Sequence, residues 1–411
     1  MTDVIKPTTN ADVLETIQWA SNKKKTLKVI GRGTKTGWGR PVVADKTVDM
    51  SALSGIIDYQ PNELFVRAKS GTPVSTITAA LANENQQLMF EPPDFGPLLG
   101  GDAGQGTLGG LIACNMAGSR RIQAGSARDN FLGFHAVSGR GEEFKSGGQV
   151  VKNVTGFDLS KLITGSYGTL AVLTDVTFKV LPSPEKIRTV LIQWSRDGIY
   201  DHGGVQAMTE AMGSANEVSG AAHVPALVAA KSSVDYVSGT GSAITAIRVE
   251  GPGPSVEFRC AALIKLLSKF GKVEELHTQN SNIVWKEISD VAYFSGNQSD
   301  ALWRLSVPPT EGSRVALRIL EGNPGDVIYD WAGGLVWLLM ATTDNASEAR
   351  IRKHVNEVGG HATLVRGPDS LRTSVPVFHP QDDSLSGVSR RVKEGFDPNG
   401  ILNPGRMYEG V

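Results

Sequence analysis

Apolar positions near the start of the chain recur at helical spacing: Val13, Ile17 and Ala20 within "TNADVLETIQWASNKK". Thr9 followed three residues later by Asp12 is a capping-box pattern, so a helix is predicted to begin there. "TLKVI" then reads as a strand, "KTVDMSALSGIIDY" and "ELFVRAKSG" as short strands, and "PVSTITAALANEN" as a helix with Pro73 in its first turn. A glycine- and proline-rich passage, "FEPPDFGPLLGGDAGQGTLGGLIACNMAGSRR", interrupts the periodicity. Strands return in "NFLGFHAVSGRGEEFKSG", where Arg140-Gly141 marks a hairpin, and in "LAVLTDVTFKVLP", with its β-branched alternation.

The prolines of "PSPEK", Pro182 to Lys186, read as a linker. Beyond them strand patterns such as "RTVLIQWS" and "AITAIRVEG" alternate with helical ones such as "VEFRCAALIKLLSKFG" and "EARIRKHVNEVGG", and "VIYDWAGGLVWLL" is one further apolar run. This alternation predicts an α+β layer with helices on one face of a mainly antiparallel sheet. The tail is a short helix followed by turns at Pro398-Asn399-Gly400 and Asn403-Pro404-Gly405. The sequence shows no clean repeat.

At 411 residues, two or three domains are expected at roughly 100–200 residues each. The 41 Lys+Arg nearly balance 42 Asp+Glu, so no global field recruits nucleic acid or an anionic membrane, and any phosphate binding is local. Two cysteines, Cys114 and Cys260, exclude a four-cysteine cluster within this chain. The first residues lack a signal-peptide pattern, and the most apolar run is interrupted by Asp330; a cytoplasmic location with at most peripheral membrane contact is expected.

The 47 glycines cluster in loops. "GRGTKTGWGR", Gly31 to Arg40, matches neither a Walker loop nor a dinucleotide fingerprint, because Thr36 stands where the latter needs glycine. Two readings stand: a plain turn, or a nest of backbone amides helped by Thr34, Thr36 and Lys35. "GGDAGQGTLGG", Gly100 to Gly110, favours the second, since free amides at Gly109 and Gly110 would suit a pyrophosphate. A third glycine turn, Gly165 to Gly168, feeds a strand.

Together "VIGRGTKTGWG", "GTLGGLIACNMAGSRR", "VVKNVTGFDLSKLITGSYGTLAVLTDVTFKVLP" and "GFDPNGILNPGRMY" resemble the ordered signatures of the PCMH-type (vanillyl-alcohol-oxidase-like) FAD-binding flavoproteins. With "EPPDFG", "YDWAGGLVWL" and "GGHATLVRGP", the chain is similar throughout to the FAD-binding subunits of bacterial glycolate oxidase within that family. The resemblance implies an α+β chain: a two-subdomain PCMH-type FAD-binding fold in residues 1–185, an α+β (ferredoxin-like) cap domain in 186–367, and a C-terminal segment, 368–411, returning to the FAD domain. It implies FAD held by Gly31, Arg32, Gly33, Thr34, Lys35 and Thr36, and by Gly101, Gly106, Thr107, Gly109 and Gly110. Asn115, Gly118, Ser119 and Arg121 would lie near the flavin-side phosphate or ribityl chain, with Gly165, Gly168, Thr169 and Leu170 contributing main-chain contacts and Asn403 and Arg406 folding back beside them. No His or Cys stands in the first loop, so the FAD is expected to be noncovalent.

Oxidation of a 2-hydroxy acid needs a group for the carboxylate and a base, often His. His202, His223 and His277 stand alone, and His354 and His361 straddle Gly359-Gly360, so no metal-binding cluster is expected. Arg120-Arg121 is open between a cofactor phosphate, a substrate carboxylate and a surface ion pair; Asp330 is open between a buried hydrogen-bonded group and part of a flavin-facing wall. The resemblance therefore implies a subunit of a glycolate oxidase (dehydrogenase) that converts glycolate to glyoxylate beside a catalytic FAD subunit and an iron–sulfur subunit, with electrons passing to a quinone-linked acceptor. An autonomous FAD-dependent dehydrogenase of glycolate or D-lactate is the alternative.

Overall fold

The computed structural model describes residues 3–149, 156–194, 201–342, 345 and 347–411. The chain divides into two compact units, the first comprising Met1–Ala117, Gly125–Ser183 and Pro376–Val411, the second Gly118–Ala124 and Pro184–Val375.

In the first unit, β1 (Asp3–Ile5), β2 (Leu27–Ile30) and β3 (Lys46–Asp49) form a parallel sheet in the order β1-β3-β2. The crossover helix Asn10–Lys23 opens with the expected capping box: Thr9 Oγ1 accepts from Asp12 N at 3.1 Å, and the Asp12 carboxylate accepts from Thr9 N at 3.0 Å. It buries Val13, Ile17 and Ala20 in a core with Leu27, Val48, Val137, Val172 and Leu402. Next come β4 (Ile56–Gln60), β5 (Phe65–Lys69), β6 (Gln86–Gln87), β7 (Phe131–Ser138), β8 (Glu143–Gly147), β9 (Ala171–Lys179) and β10 (Leu181–Pro182). Five of them make an antiparallel sheet ordered β4-β5-β9-β7-β8, and β6 pairs with β10. The hairpin at Arg140-Gly141 joins β7 to β8, while the helix after Pro73 spans Val74–Asn83, with the proline at its N-cap. The tail returns to β2, where Leu27 N donates to Ile401 O at 2.7 Å and Asn403 N to Leu27 O at 2.9 Å.

The second unit is built on one antiparallel sheet of β11 (Lys186–Gln193), β12 (Gly220–Val224), β13 (Ile244–Gly251), β14 (Lys272–Leu276), β15 (Ala301–Ser306), β16 (Gly325–Asp330), β17 (Leu335–Met340) and β18 (His361–Arg366). Its order is β14-β11-β13-β12-β16-β17-β15-β18. Each half runs β-α-β-β-α-β, the ferredoxin-like pattern, and the halves join through the pairing of His223 with Tyr329. A topological repeat thus exists where the sequence shows none. "VIYDWAGGLVWLL" is two strands, not one run: the chain turns at Trp331–Gly333, with Ala332 at φ 58°.

The helices are not confined to one face. Glu257 of helix Gly253–Leu267 pairs with Arg188, whereas Ser281 and Trp285 of helix Thr278–Ser289 hydrogen-bond to Thr189. Neighbouring strand residues point to opposite faces, so these two helices cover opposite sides of the sheet. No helix among the described residues is long and apolar enough to cross a membrane.

Candidate functional site

Strand β2 delivers the chain into the loop Gly31 to Arg40. Gly33 sits at φ 74°, which a side chain disfavours, and its carbonyl accepts from Thr36 N at 3.2 Å and Thr36 Oγ1 at 3.0 Å. Trp38 N closes a second turn on Lys35 O at 3.1 Å. The tail clamps these turns from outside, as Arg406 Nη2 donates to Lys35 O at 2.8 Å and Trp38 O at 2.7 Å. Among the described residues, none accepts from the backbone N–H groups of Arg32, Gly33, Thr34 or Lys35. Consecutive amides left open in a turn form an anion-binding concavity.

The second glycine passage contributes differently than expected. Thr107 caps the short helix Leu108–Ala113, its Oγ1 accepting from Gly110 N at 3.3 Å. Leu108 N donates to Thr72 O at 3.0 Å and Gly109 N to Ser70 O at 2.7 Å, so the amides of Gly109 and Gly110 are engaged rather than free. These glycines provide space. A Cβ on Gly31 would lie 2.3 Å from Thr107 Oγ1, so the two loops approach closely only without one. Lys35 Nζ fills the gap left at Gly106 and Gly110, 3.4 and 3.6 Å from where their Cβ atoms would stand.

The third turn packs beneath both. Gly165 N donates to Ile112 O at 3.0 Å and Tyr167 N to Ala113 O at 2.9 Å. Asn403, buried, joins this turn to β2: its Oδ1 accepts from Val29 N at 2.8 Å and its Nδ2 donates to Tyr167 O at 2.9 Å and Gly168 O at 3.3 Å. Lys393 anchors the tail, donating to Thr169 O at 2.6 Å, Leu402 O at 3.0 Å and Asp397 Oδ2 at 2.7 Å.

Two adjoining recesses result. Gly31, Arg32, Gly33, Thr34, Lys35, Thr36, Thr107, Gly109, Gly110, Gly168, Asn403 and Arg406 line them. Gly106 lies behind, its carbonyl accepting from Val74 N at 2.8 Å, and Gly101 sits in an exposed turn. Asn115 holds Arg128 N at 3.2 Å, and Gly165, Thr169 and Leu170 shape the third turn without lining either recess. Sequence reasoning missed the apolar wall of Val29, Val172 and Leu173, and Tyr167, whose ring meets Trp38 edge-on at 5.8 Å and Phe378 at 4.8 Å. The aromatic between two glycines in "GSYGT" was the available signal for Tyr167. The "VVKNVT" part of the third signature, Val150–Thr155, and Ser195 of "RTVLIQWS" lie outside the described residues.

Gly118, Ser119 and Arg121 belong to the second unit. Ser119 Oγ donates to Asp330 Oδ2 at 2.7 Å, Trp331 Nε1 donates to Gly118 O at 3.1 Å, and the guanidiniums of Arg121 and Arg304 lie 4.7 and 5.1 Å from the Trp331 ring centre. Asp330 is thus a buried, hydrogen-bonded carboxylate, its other oxygen accepting from Trp331 N at 2.7 Å. Arg120 forms an ion pair with Glu250, but a buried one, Nη2 to Oε1 at 2.5 Å. Burial works to raise the Glu250 carboxyl, and Arg248 and Arg120 outweigh it, holding it at about 2.

His223, alone in sequence, joins a buried network: its Nδ1 lies 2.8 Å from Thr245 Oγ1, and its Nε2 3.6 Å from Asp201, which also accepts from Tyr329 Oη at 2.6 Å. Strand pairing of His223 with Thr245 and with Tyr329 brings these side chains to it, contacts no local pattern announces. Among the described residues, no group of His, Cys, Asp and Glu is arranged to hold a metal ion.

The sequence model of a family described as FAD binding domain matches residues 2–147. Glycolate oxidase subunit GlcE of Escherichia coli (strain K12) is 33% identical over 396 residues, covering 96% of each chain. Glycolate oxidase subunit GlcD of Bacillus subtilis (strain 168) is 24% identical over 445 residues, 98% of this chain and 88% of that one. Among solved structures, 4-ethylphenol oxidase from Gulosibacter chungangensis shares the fold, with a TM-score of 0.73 at 14% identity over 99% of this chain and 89% of that chain.

Proposed function

The chain belongs to the PCMH-type FAD-binding flavoproteins, and from that premise we propose that it is the FAD-binding subunit of a glycolate-oxidising complex. Its cofactor is FAD, and it is an FAD-dependent oxidoreductase by family. The observation that carries the finer reading is the likeness to a glycolate oxidase subunit over 96% of both chains.

The site fits the cofactor. The first unit acts as the FAD domain and the second as the α+β, cap-type domain. The open amides of Arg32 to Lys35 and the Lys35 ammonium hold the diphosphate, with Thr107 and Gly110 as the opposite wall. Uncharged parts of the cofactor fit the apolar recess of Val29, Val172 and Leu173. Bound FAD supplies a two-electron carrier. The attachment is noncovalent, because the first loop has no His or Cys and burial pushes the Cys114 thiol up, away from reactivity.

Electron transfer beyond the flavin falls to partner chains. Two cysteines are too few for a four-cysteine cluster, so iron–sulfur ligands come from another subunit. Arg120 is committed to Glu250 rather than to a substrate carboxylate, and His223 is committed to its buried network rather than placed as a substrate base. A catalytic flavoprotein and an iron–sulfur protein complete the assembly, acting on a small 2-hydroxy acid, glycolate, at or near the cytoplasmic side of a membrane. Affinity purification of the tagged chain from its native cells tests this. Recovery of glycolate-dependent dye reduction together with a second flavoprotein and an iron–sulfur protein is expected; recovery of the chain alone, itself reducing dye with glycolate or D-lactate, would favour the autonomous dehydrogenase.

A further inference from the structure

We infer that Lys35 is the counter-charge of the FAD diphosphate and that cofactor binding takes up a proton at its side chain. The inference rests on the diphosphate placement proposed above and is independent of any partner subunit.

The geometry aims this amine at the cradle. The main chain of Lys35 is fixed by Trp38 N and Arg406 Nη2, both donating to its carbonyl. From there the side chain crosses toward the second glycine passage, into the space left at Gly106 and Gly110. An ammonium has three protons to donate. Among the described residues, this one makes a single protein hydrogen bond, to Thr34 Oγ1 at a long 3.4 Å, beside the open amides of Arg32 to Lys35. A half-buried cation so poorly matched by protein acceptors suits an anionic ligand.

The charged groups acting on it are Cys114 and Asp94, and Arg32, Tyr167 and Arg406 line the same recess. The Asp94 carboxylate is already held by Gly96 N at 3.1 Å and Gly104 N at 2.6 Å. Part of the Lys35 surface opens into the recess, yet dense protein around the ammonium pushes its pKa below the ordinary lysine value, with Cys114 and Asp94 only partly opposing. A neutral amine therefore accumulates in the FAD-free site as pH rises. A diphosphate placed beside it restores the proton. FAD affinity is then flat below the FAD-free pKa and falls by up to about tenfold per pH unit between the FAD-free and FAD-bound values.

The test titrates FAD-stripped protein with FAD from neutral to alkaline pH, following flavin fluorescence, with riboflavin as the probe that lacks phosphate. Calorimetry of the wild type in buffers of different ionisation enthalpy counts protons directly and requires no variant. Proton uptake on FAD binding, none on riboflavin binding, and an FAD affinity reduced roughly 10- to 100-fold and independent of pH in Lys35→Met are expected. The pH slope should persist in Cys114→Ser, and its loss there would assign the proton to the thiol and overturn the inference. So would Lys35→Met with wild-type affinity and slope, or an equal loss for riboflavin. If Gly33→Val weakens FAD binding while Lys35→Met does not, only this inference fails; if neither does, the diphosphate placement fails with it.

Discussion

Asn403 is the most economical place to disturb the cofactor site without touching the open amides. Its side chain ties β2 to the third turn through bonds of 2.8 Å from Val29 N and 2.9 Å to Tyr167 O, and it is 2% exposed. Replacement by alanine leaves a buried donor and a buried acceptor without partners, at about 1 kcal/mol for each lost bond. The backbone here is left-handed, φ 42°, which asparagine tolerates and alanine disfavours by about 1 kcal/mol. Asn403→Ala should therefore destabilise the FAD-free protein by about 3 kcal/mol, and Asn403→Gly, which escapes the backbone term, by about 2 kcal/mol. Urea unfolding followed by tryptophan fluorescence gives both values. FAD content should fall in both variants, because the two recesses share the walls that Asn403 holds together. A loss below about 1 kcal/mol in Asn403→Ala would show that the side chain does not staple the strand to the turn. Equal losses for alanine and glycine would remove the left-handed backbone from the explanation.

Gly31→Ala places a methyl 2.3 Å from Thr107 Oγ1, so the two glycine passages must separate; FAD occupancy after purification should drop while circular dichroism stays native, and full occupancy would contradict the close-approach argument. Glu250→Gln breaks a buried ion pair with Arg120 and should cost roughly 3 kcal/mol near neutral pH, read from thermal or urea unfolding. Since the folded Glu250 pKa of about 2 lies below the ordinary 4.5, its stabilisation is complete above about pH 4.5 and is lost as pH falls toward 2. The difference between wild type and Glu250→Gln should shrink across that acid window; a constant difference would refute the linkage.

Where local chemistry decides structure, it was legible. Thr9 and Asp12 announce their helix, Arg140-Gly141 its hairpin, and the glycines of the first loop their concavity. What escaped is decided by partners distant in sequence. The segment "GSRRIQA" carries no punctuation, yet Ser119–Asp330 and Arg120–Glu250 contacts assign it to the second unit. Gly109 and Gly110 look like open amides until Ser70 O and Thr107 Oγ1 take their protons. The duplicated β-α-β-β-α-β pattern is hidden because its halves agree in strand order and differ in side chains, while each face of the sheet is buried by different helices. His223 and Tyr329 are neighbours only because β12 and β16 pair.

The most direct measurement is the visible spectrum of the chain purified alone, recorded anaerobically before and after glycolate and again after denaturation and filtration. The account predicts an oxidised flavin that glycolate leaves unbleached and that denaturation releases as intact FAD. A spectrum without flavin, a flavin retained by the denatured chain, or rapid bleaching by glycolate would contradict it.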